Sequence, residues 1–200
     1  MQSLIYLLRH GEVDSSRPRR FLGQANIPLN KSGINQAKQV GLALTDISFN
    51  QVFSSPLNRA MLTAELVSGR PQSEIQPIAA FQEINLGAWE GLTATEIQKK
   101  FPGSYEARGD NMGTFRPQDG ESFADVAARA LPALQEIVCN NTGHILIVAH
   151  AGVNRAVLAS VQHTPLDQLL TIPQNYCCLN LLVSTNKVLS VLEINQIFYS

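Results

Sequence analysis

Leu4-Ile5-Tyr6-Leu7-Leu8-Arg9-His10-Gly11-Glu12 is the stretch on which the fold turns. Five apolar residues in a row suit a strand buried on both faces, the kind found inside a parallel sheet. The run then ends on two side chains that carry or accept positive charge, followed by a glycine. The same grammar returns at Ile145-Leu146-Ile147-Val148-Ala149-His150-Ala151-Gly152. In open α/β sheets, ligands bind beyond the carboxyl ends of the strands, where strand order reverses. Two such strands lying close together would bring His10 and His150 to one rim, although they are far apart in sequence.

Outward from these two strands, strand and helix signals alternate, which predicts an α/β layered domain. Strands are expected at about 3–9, 51–55, 74–79, 145–149, 178–183 and 188–194, with Pro77 marking an edge strand or a strand end. A turn at 184–187 separates the last two. A helix over 32–44 would bury Ile34, Ala37, Val40, Gly41 and Leu44. A second is expected to start with Ser55 as N-cap and Pro56 at its first position, turning Met61, Leu62 and Leu66 to the core. Thr93-Ala94-Thr95-Glu96 has capping-box form and opens a helix to about Lys100. Ser122-Phe123-Ala124-Asp125 starts another, with Val126, Ala130, Leu134 and Ile137 as its stripe. A further helix runs from about Val153, and Thr164-Pro165 caps a short one. Residues 102–119, rich in Gly, Asn, Asp and Pro, read as a surface excursion or lid. With no internal repeat, linker or low-complexity tract, residues 1–200 read as a single domain.

The totals narrow the function classes. A chain of 200 residues with 44% hydrophobic content should bury about 70% of its unfolded surface. Fifteen Lys and Arg against 16 Asp and Glu give a net charge of −1, which argues against a nucleic-acid partner. The apolar run at 4–8 is too short for a signal-peptide core or a membrane span, so a soluble, cytoplasmic protein with no membrane partner is expected. Cys139, Cys177 and Cys178 are odd in number and lack metal spacing. Cys177 and Cys178 are expected in a strand, pointing to opposite faces as small buried residues without chemistry. His144 and His163 read as solvated loop residues.

Arg59, near the start of the helix after Ser54-Ser55-Pro56, puts a cation where the helix dipole favours an anion. It makes sense beside a bound anion. Arg9, Arg59, His10 and His150 at one rim describe a cradle for a tetrahedral dianion, because guanidinium forks match phosphate oxygens. Backbone N–H groups opening the helix after His150, beginning at Ala151, would add donors.

Six blocks in order carry a resemblance: "LLRHGE", "GQANIPLNKSGINQA" (23–37), "SSPLNRAMLTAEL" (54–66), "QEINLGAWEG" (82–91), "DGES" (119–122) and "VAHAGVNR" (148–155). On them the chain resembles the histidine phosphatase superfamily almost end to end. The resemblance implies the phosphoglycerate mutase-like fold, a three-layer α/β/α sandwich with a mostly parallel central sheet. It also implies that His10 is the nucleophile that becomes phosphorylated and that Arg9, Arg59 and His150 hold the phosphoryl oxygens. Glu83 would be the general acid, Gln24 would help line the pocket, and Ser16 could still donate one hydrogen bond to the phosphate. Val13, Ser16 and Asn26 depart from the Thr, Asn and Asp common in the family.

A neutral imidazole is a good nucleophile, and a covalent intermediate splits one hard step into two easier ones. Arg9 and Arg59 should disfavour protonation of His10. Glu12 would orient Arg9 or close a turn, Glu90 would make a local ion pair, and Trp89 would pack against its loop. Arg17, Arg19 and Arg20 are either a solvated loop or a lure for an anionic substrate. No cofactor or metal is implied, since the chain has no clustered Asp/His set and no nucleotide-binding glycine motif.

The same pocket could serve a phosphatase, a phosphoglycerate mutase-type phosphoryl transferase or a non-catalytic phosphate-binding module. The family's dedicated phosphoglycerate mutases are longer, with extra segments over the site, so by that resemblance the short stretch between Glu83 and Ser122 implies an open, wet site and a phosphatase of a small phosphorylated metabolite. Within the family, 19–33 looks most like the α-ribazole phosphatase and broad-specificity branch, with α-ribazole 5′-phosphate as one possible substrate. A monomer or homodimer is expected.

Overall fold

In a computed structural model describing residues 2–14 and 18–199, the chain runs β1 (Gln2–Arg9), α1 (Lys31–Ala43), β2 (Gln51–Ser54), α2 (Asn58–Ser68), β3 (Gln76–Pro77), α3 (Ala94–Lys100), α4 (Ser104–Asp110), α5 (Phe123–Asn140), β4 (Gly143–Ala149), α6 (Ala151–Val161), β5 (Leu179–Thr185) and β6 (Val188–Gln196). Successive side chains of β1 enter two different cores, Ile5 and Leu7 on one face and Tyr6 and Leu8 on the other. β4 divides the same way, with Ile145, Ile147 and Ala149 opposite Leu146 and Val148. A strand with two apolar faces needs a helical layer on each side. Residues of α1 and α2 fill one core, and residues of α5 and α6 fill the other. Hence the three layers.

The sheet order is β3-β2-β4-β1-β5-β6. β3, β2, β4 and β1 are parallel, while β5 and β6 join antiparallel beside β1. The expected mostly parallel sheet is present, and β3, with Pro77, lies at its edge. Both capping boxes form, at Thr93–Glu96 and at Ser122–Asp125. Val126, Ala130, Leu134 and Ile137 are all buried. Among the described residues no helix is long and apolar enough to cross a membrane.

Several local expectations need correction. α2 starts at Asn58, not at Pro56, and Leu57 rather than Ser55 is its N-cap. Its buried face is Ala60, Thr63, Ala64 and Val67, leaving Met61, Leu62 and Leu66 only partly covered. Small side chains let the helix lie close to the sheet, and larger ones fill the margins. Strand β3 is two residues long, with single helical turns at Gln72–Glu74 and Ala79–Phe81 on either side. The excursion at 102–119 contains α4 and buries Met112, Gly113 and Pro117.

Cys177 lies in a turn with φ +49° rather than in a strand, and both neighbouring cysteines are fully buried. Burial pushes the Cys177 thiol up to about 12 and that of Cys178 up to about 11, so both stay protonated. His144 is no loop residue: it sits in β4, with Nδ1 2.9 Å from the Tyr6 hydroxyl.

Candidate active site

The β1–β4 register pairs Arg9 with Ala149, so His10 and His150 leave the sheet side by side. The His10 amide donates to the Ala149 carbonyl at 3.0 Å, and the two imidazole centroids are 5.0 Å apart. The exit of β1 then passes hard against the start of α1. A Cβ on Gly11 would meet the Gly33 carbonyl oxygen at 2.5 Å, so only glycine permits that crossing.

His10 is 5% exposed, with Nδ1 2.7 Å from the Gly11 carbonyl oxygen. A carbonyl only accepts, so Nδ1 carries the hydrogen and the lone pair of the neutral ring resides on Nε2. Burial, then the charges of Arg9 and Arg59, hold the His10 pKa well below its ordinary value, outweighing the opposing pull of the Gly11 carbonyl. The ring is therefore neutral near pH 7 and presents a free nitrogen.

Both flanking arginines are braced from behind. Arg9 donates from Nη1 to the Gln174 carbonyl at 2.5 Å, and its Cζ stacks 3.8 Å from the Tyr176 ring centroid. Gln174 is itself fixed by Asn154 and Asn180 in a buried amide network. Arg59 is 3% exposed and donates to the carbonyls of Ala25 and Gly23 at 2.6 and 2.9 Å. Its helix is tied to the His10 turn through Thr63, whose hydroxyl donates to the Arg59 carbonyl at 2.7 Å and accepts from the Gly11 amide at 3.1 Å. Burial lowers the pKa of both guanidiniums, with Glu83 and Tyr176 opposing it. They remain charged.

His150 is fully buried, with Nε2 2.8 Å from Ser55 Oγ and Nδ1 without a hydrogen-bond partner. Its pKa is pushed well down by burial, then by His10, Arg59 and Arg9. Ser55, expected as a helix cap, places its hydroxyl on this imidazole and also accepts from the Leu57 amide at 3.3 Å.

Glu83 accepts from the Ile84 amide on Oε1 at 3.0 Å and from the Gly152 amide on Oε2 at 3.2 Å. Its own carbonyl accepts from Gln24 Nε2 at 2.9 Å and Arg129 Nη2 at 3.2 Å. Gln24 thus sits behind Glu83 and is not among the residues lining the cavity, contrary to expectation. Glu90 makes no ion pair among the described residues; its Oε1 accepts from the Gln24 amide at 2.8 Å. Glu12 closes a turn, accepting from Asn30 Nδ2 at 2.8 Å, and does not orient Arg9.

A cavity of about 470 Å³ opens at this rim, lined by Arg9, His10, Arg59, Glu83 and Ala151 among others; His150, packed 5.0 Å from the His10 ring, is not among the lining residues. Arg19, Phe21, Tyr105, Arg108 and Arg155 also line it. Arg20, also in the lining, is spent on the Gly91 carbonyl and on Glu96 at 3.0 Å. Trp89 is 1% exposed and packs against Phe21, Tyr105 and Phe115. Ser16 and Arg17 lie outside the described residues. Among those described, no cluster of His, Cys, Asp or Glu is placed to hold a metal ion.

Sequence reasoning assigned no role to Tyr176, Gln174, Arg108 or Arg155. Arg155 had a visible signal, since it follows Ala151 by one helical turn. Tyr176 and Gln174 had none, because they act on Arg9 only through the folded chain.

Comparison with known proteins identifies the family and the fold. The sequence profile of the histidine phosphatase superfamily (branch 1) matches residues 5–197. A glucosyl-3-phosphoglycerate phosphatase of Mycolicibacterium vanbaalenii is 30% identical over 82% of this chain and 76% of its own length. The adenosylcobalamin/alpha-ribazole phosphatase of Escherichia coli is 29% identical over 82% of each chain. Among solved structures, the alpha-ribazole phosphatase from Shigella flexneri superposes with a TM-score of 0.87 at 26% identity, covering 96% of both chains.

Proposed function

The chain belongs to the histidine phosphatase superfamily and is a phosphatase of that type, and on that premise we propose that it hydrolyses small phosphomonoesters through a phosphorylated His10. The observation that carries this reading is the His10 ring itself. Its Nδ1 is fixed on the Gly11 carbonyl, and Nε2 has no hydrogen-bond partner among the described residues while the charges of Arg9 and Arg59 act on the ring.

In the first step the Nε2 lone pair attacks phosphorus in line while the ester P–O bond breaks. The leaving alkoxide takes a proton from the Glu83 carboxyl group. Phosphoryl transfer asks a protein mainly for placement and charge stabilisation, which Arg9 and Arg59 supply to the equatorial oxygens. In the second step water attacks phosphorus, gives its proton to the Glu83 carboxylate, and the N–P bond breaks to release phosphate and the imidazole. A phosphate dianion beside His150 favours protonation of its unpartnered Nδ1, adding a charged donor as negative charge spreads.

The α-ribazole 5′-phosphate expected from 19–33 has support from one relative by name, while others of similar identity are named for glucosyl-3-phosphoglycerate. The proposal therefore stays at small phosphorylated metabolites acting in the cytoplasm, a location supported by three unpaired cysteines. Steady-state turnover of p-nitrophenyl phosphate, α-ribazole 5′-phosphate and 3-phosphoglycerate tests it, with free phosphate as the product read. Appearance of an isomerised phosphoester without phosphate release would replace the hydrolase with a mutase. Tight phosphate binding without turnover of any ester would leave a binding module.

A further inference from the structure

The segment that carries Glu83 has no strand or helix of its own to hold it. Single helical turns at Ala79–Phe81 and Gly87–Trp89 bound it, and 82–86 between them are irregular. Polar backbone groups in a packed region need partners, and two side chains from outside the segment supply them. Arg129, on α5, donates from Nη1 to the Ala80 carbonyl at 2.6 Å and from Nη2 to the Glu83 carbonyl at 3.2 Å. Glu121, one residue before the α5 N-cap, accepts from the Asn85 amide at 2.9 Å, and its own amide donates to the Asn85 carbonyl at 2.8 Å. The two side chains also grip each other as a fork, Nε on Oε1 at 2.8 Å and Nη2 on Oε2 at 2.9 Å. Taking the hydrolase reading as given, we infer that Arg129 and Glu121 are positioning residues for Glu83. They clamp the backbone on both sides of it, so that its carboxyl group is held where the leaving alkoxide is protonated.

This clamp differs from an ordinary surface ion pair. The two side chains are only 22% and 24% exposed, so water competes weakly for them, and a bidentate fork adds a fixed geometry. Its platform is rigid. The 18-residue α5 opens on a capping box and buries Val126, Ala130, Leu134 and Ile137 in the core. On the opposite side the Glu83 carboxylate meets the Gly152 amide of α6. Glu83 is therefore referenced to α5 through its backbone and to α6 through its side chain. Gln24 Nε2 takes the other lone pair of the Glu83 carbonyl but makes no bond to Ala80 or Asn85.

Neither Arg129 nor Glu121 lines the cavity, so their replacement acts on the reaction through Glu83. The test compares benzyl phosphate, whose alkoxide must be protonated as it leaves, with p-nitrophenyl phosphate, whose anion leaves without help. The readout is the ratio of their kcat/KM values, which covers only the steps through departure of the alcohol and not the later attack of water. General acid catalysis contributes about 100-fold or more, so Glu83→Gln should lower the benzyl-to-nitrophenyl ratio by about that much. Arg129→Met should lower it by about tenfold or more, because a displacement of about 1 Å in a catalytic group costs on the order of 100-fold. Arg129→Lys keeps the charge without the fork and should fall between. Glu121→Gln should move the ratio in the same direction. Arg129 is also among the charges that lower the His150 pKa, an effect common to both esters that cancels in the ratio.

A second measurement reads the position of Glu83 without turnover. Gly152 is the second residue of α6, so its amide has no acceptor within the helix, and Glu83 Oε2 at 3.2 Å is its partner. In Arg129→Met, and in Glu121→Gln should the first variant fail to fold, hydrogen exchange at Gly152 should quicken by about tenfold or more relative to the amides of β4. A general loss of stability would speed both together. An equal loss of kcat/KM for the two esters in Arg129→Met and Glu121→Gln, with the ratio still lowered by Glu83→Gln, would overturn the clamp. A ratio untouched by Glu83→Gln, or no turnover of either ester by the unaltered protein, would instead remove the acid role or the hydrolase reading. In those cases exchange at Gly152 alone decides the clamp, and protection equal to the parent's in the variants overturns it.

Discussion

Replacing Gly152 by alanine should separate folding from chemistry. A Cβ at this position would sit 2.4 Å from Glu83 Oε1 and 3.2 Å from the Phe123 ring. Ordinary contact begins near 3.4 Å, so the carboxylate must retreat by about 1 Å. That movement breaks or stretches the 3.2 Å bond from the Gly152 amide to Oε2. The retreating group is the free end of a side chain, and Gly→Ala in a helix is itself favourable by up to about 1 kcal/mol. Stability should therefore stay within about 1 kcal/mol of the parent. Activity should not. A misplacement of about 1 Å in a catalytic group costs on the order of 100-fold in rate. The assay is steady-state hydrolysis of p-nitrophenyl phosphate, paired with thermal unfolding. A double-mutant cycle with Glu83→Ala isolates the cause, because with the carboxylate gone the added methyl group should cost little further. Full activity of Gly152→Ala, or an equal loss in the Glu83→Ala background, would refute the role given to this contact.

Three further outcomes follow from the same geometry. Ser55→Ala strips the 2.8 Å partner from His150 and should cost about 1–2 kcal/mol of stability together with a fall in kcat; unfolding and kinetics unchanged from the parent would count against it. Tyr176→Leu removes the ring over Arg9 and should cost about 0.5–2 kcal/mol in kcat/KM, while Tyr176→Phe keeps the face and most of the rate; equal losses would point to the hydroxyl instead. His10 and His150 both have folded pKa values far below 6.5, so the unfolded chain binds protons that the folded one does not. They leave stability unaffected above about pH 7 and lower it as the pH falls below 6.5, by up to about 1.4 kcal/mol per unit for each ring. Denaturant unfolding at descending pH reads this directly, and a flat profile between pH 7 and 5 would contradict it.

Much of the fold was legible because the sheet interior imposes a pattern on the chain. β1 and β4 are buried on both faces and so read as unbroken apolar runs, and the two capping boxes are local arrangements written within four residues. The rim was legible for the same reason, since strand ends can be counted. What escaped depends on packing between distant segments. α4 has Gly103 as its N-cap, at φ +79° and with no side chain to cap it, and its stacking on Trp89 comes from a different loop. Ser55 has the sequence context of a cap, but His150, 95 residues away, takes its hydroxyl. Gln24 read as a pocket residue and Glu90 as a partner in a local ion pair, yet the Gln24 side chain holds the Glu83 carbonyl and the Glu90 carboxylate holds the Gln24 amide. Composition alone balances basic and acidic residues, so it hides the six arginines that line one cavity.

The central claim is that the free nitrogen of His10 takes the phosphoryl group. Rapid quench of turnover with a phosphate-labelled ester into alkali, followed by peptide mapping, tests it most directly. An alkali-stable, acid-labile label on His10 is expected, forming and decaying at rates consistent with kcat, with neither label nor turnover in His10→Ala. A His10→Ala protein that still hydrolyses the ester at the parental rate, or a label carried by any other residue, would contradict it.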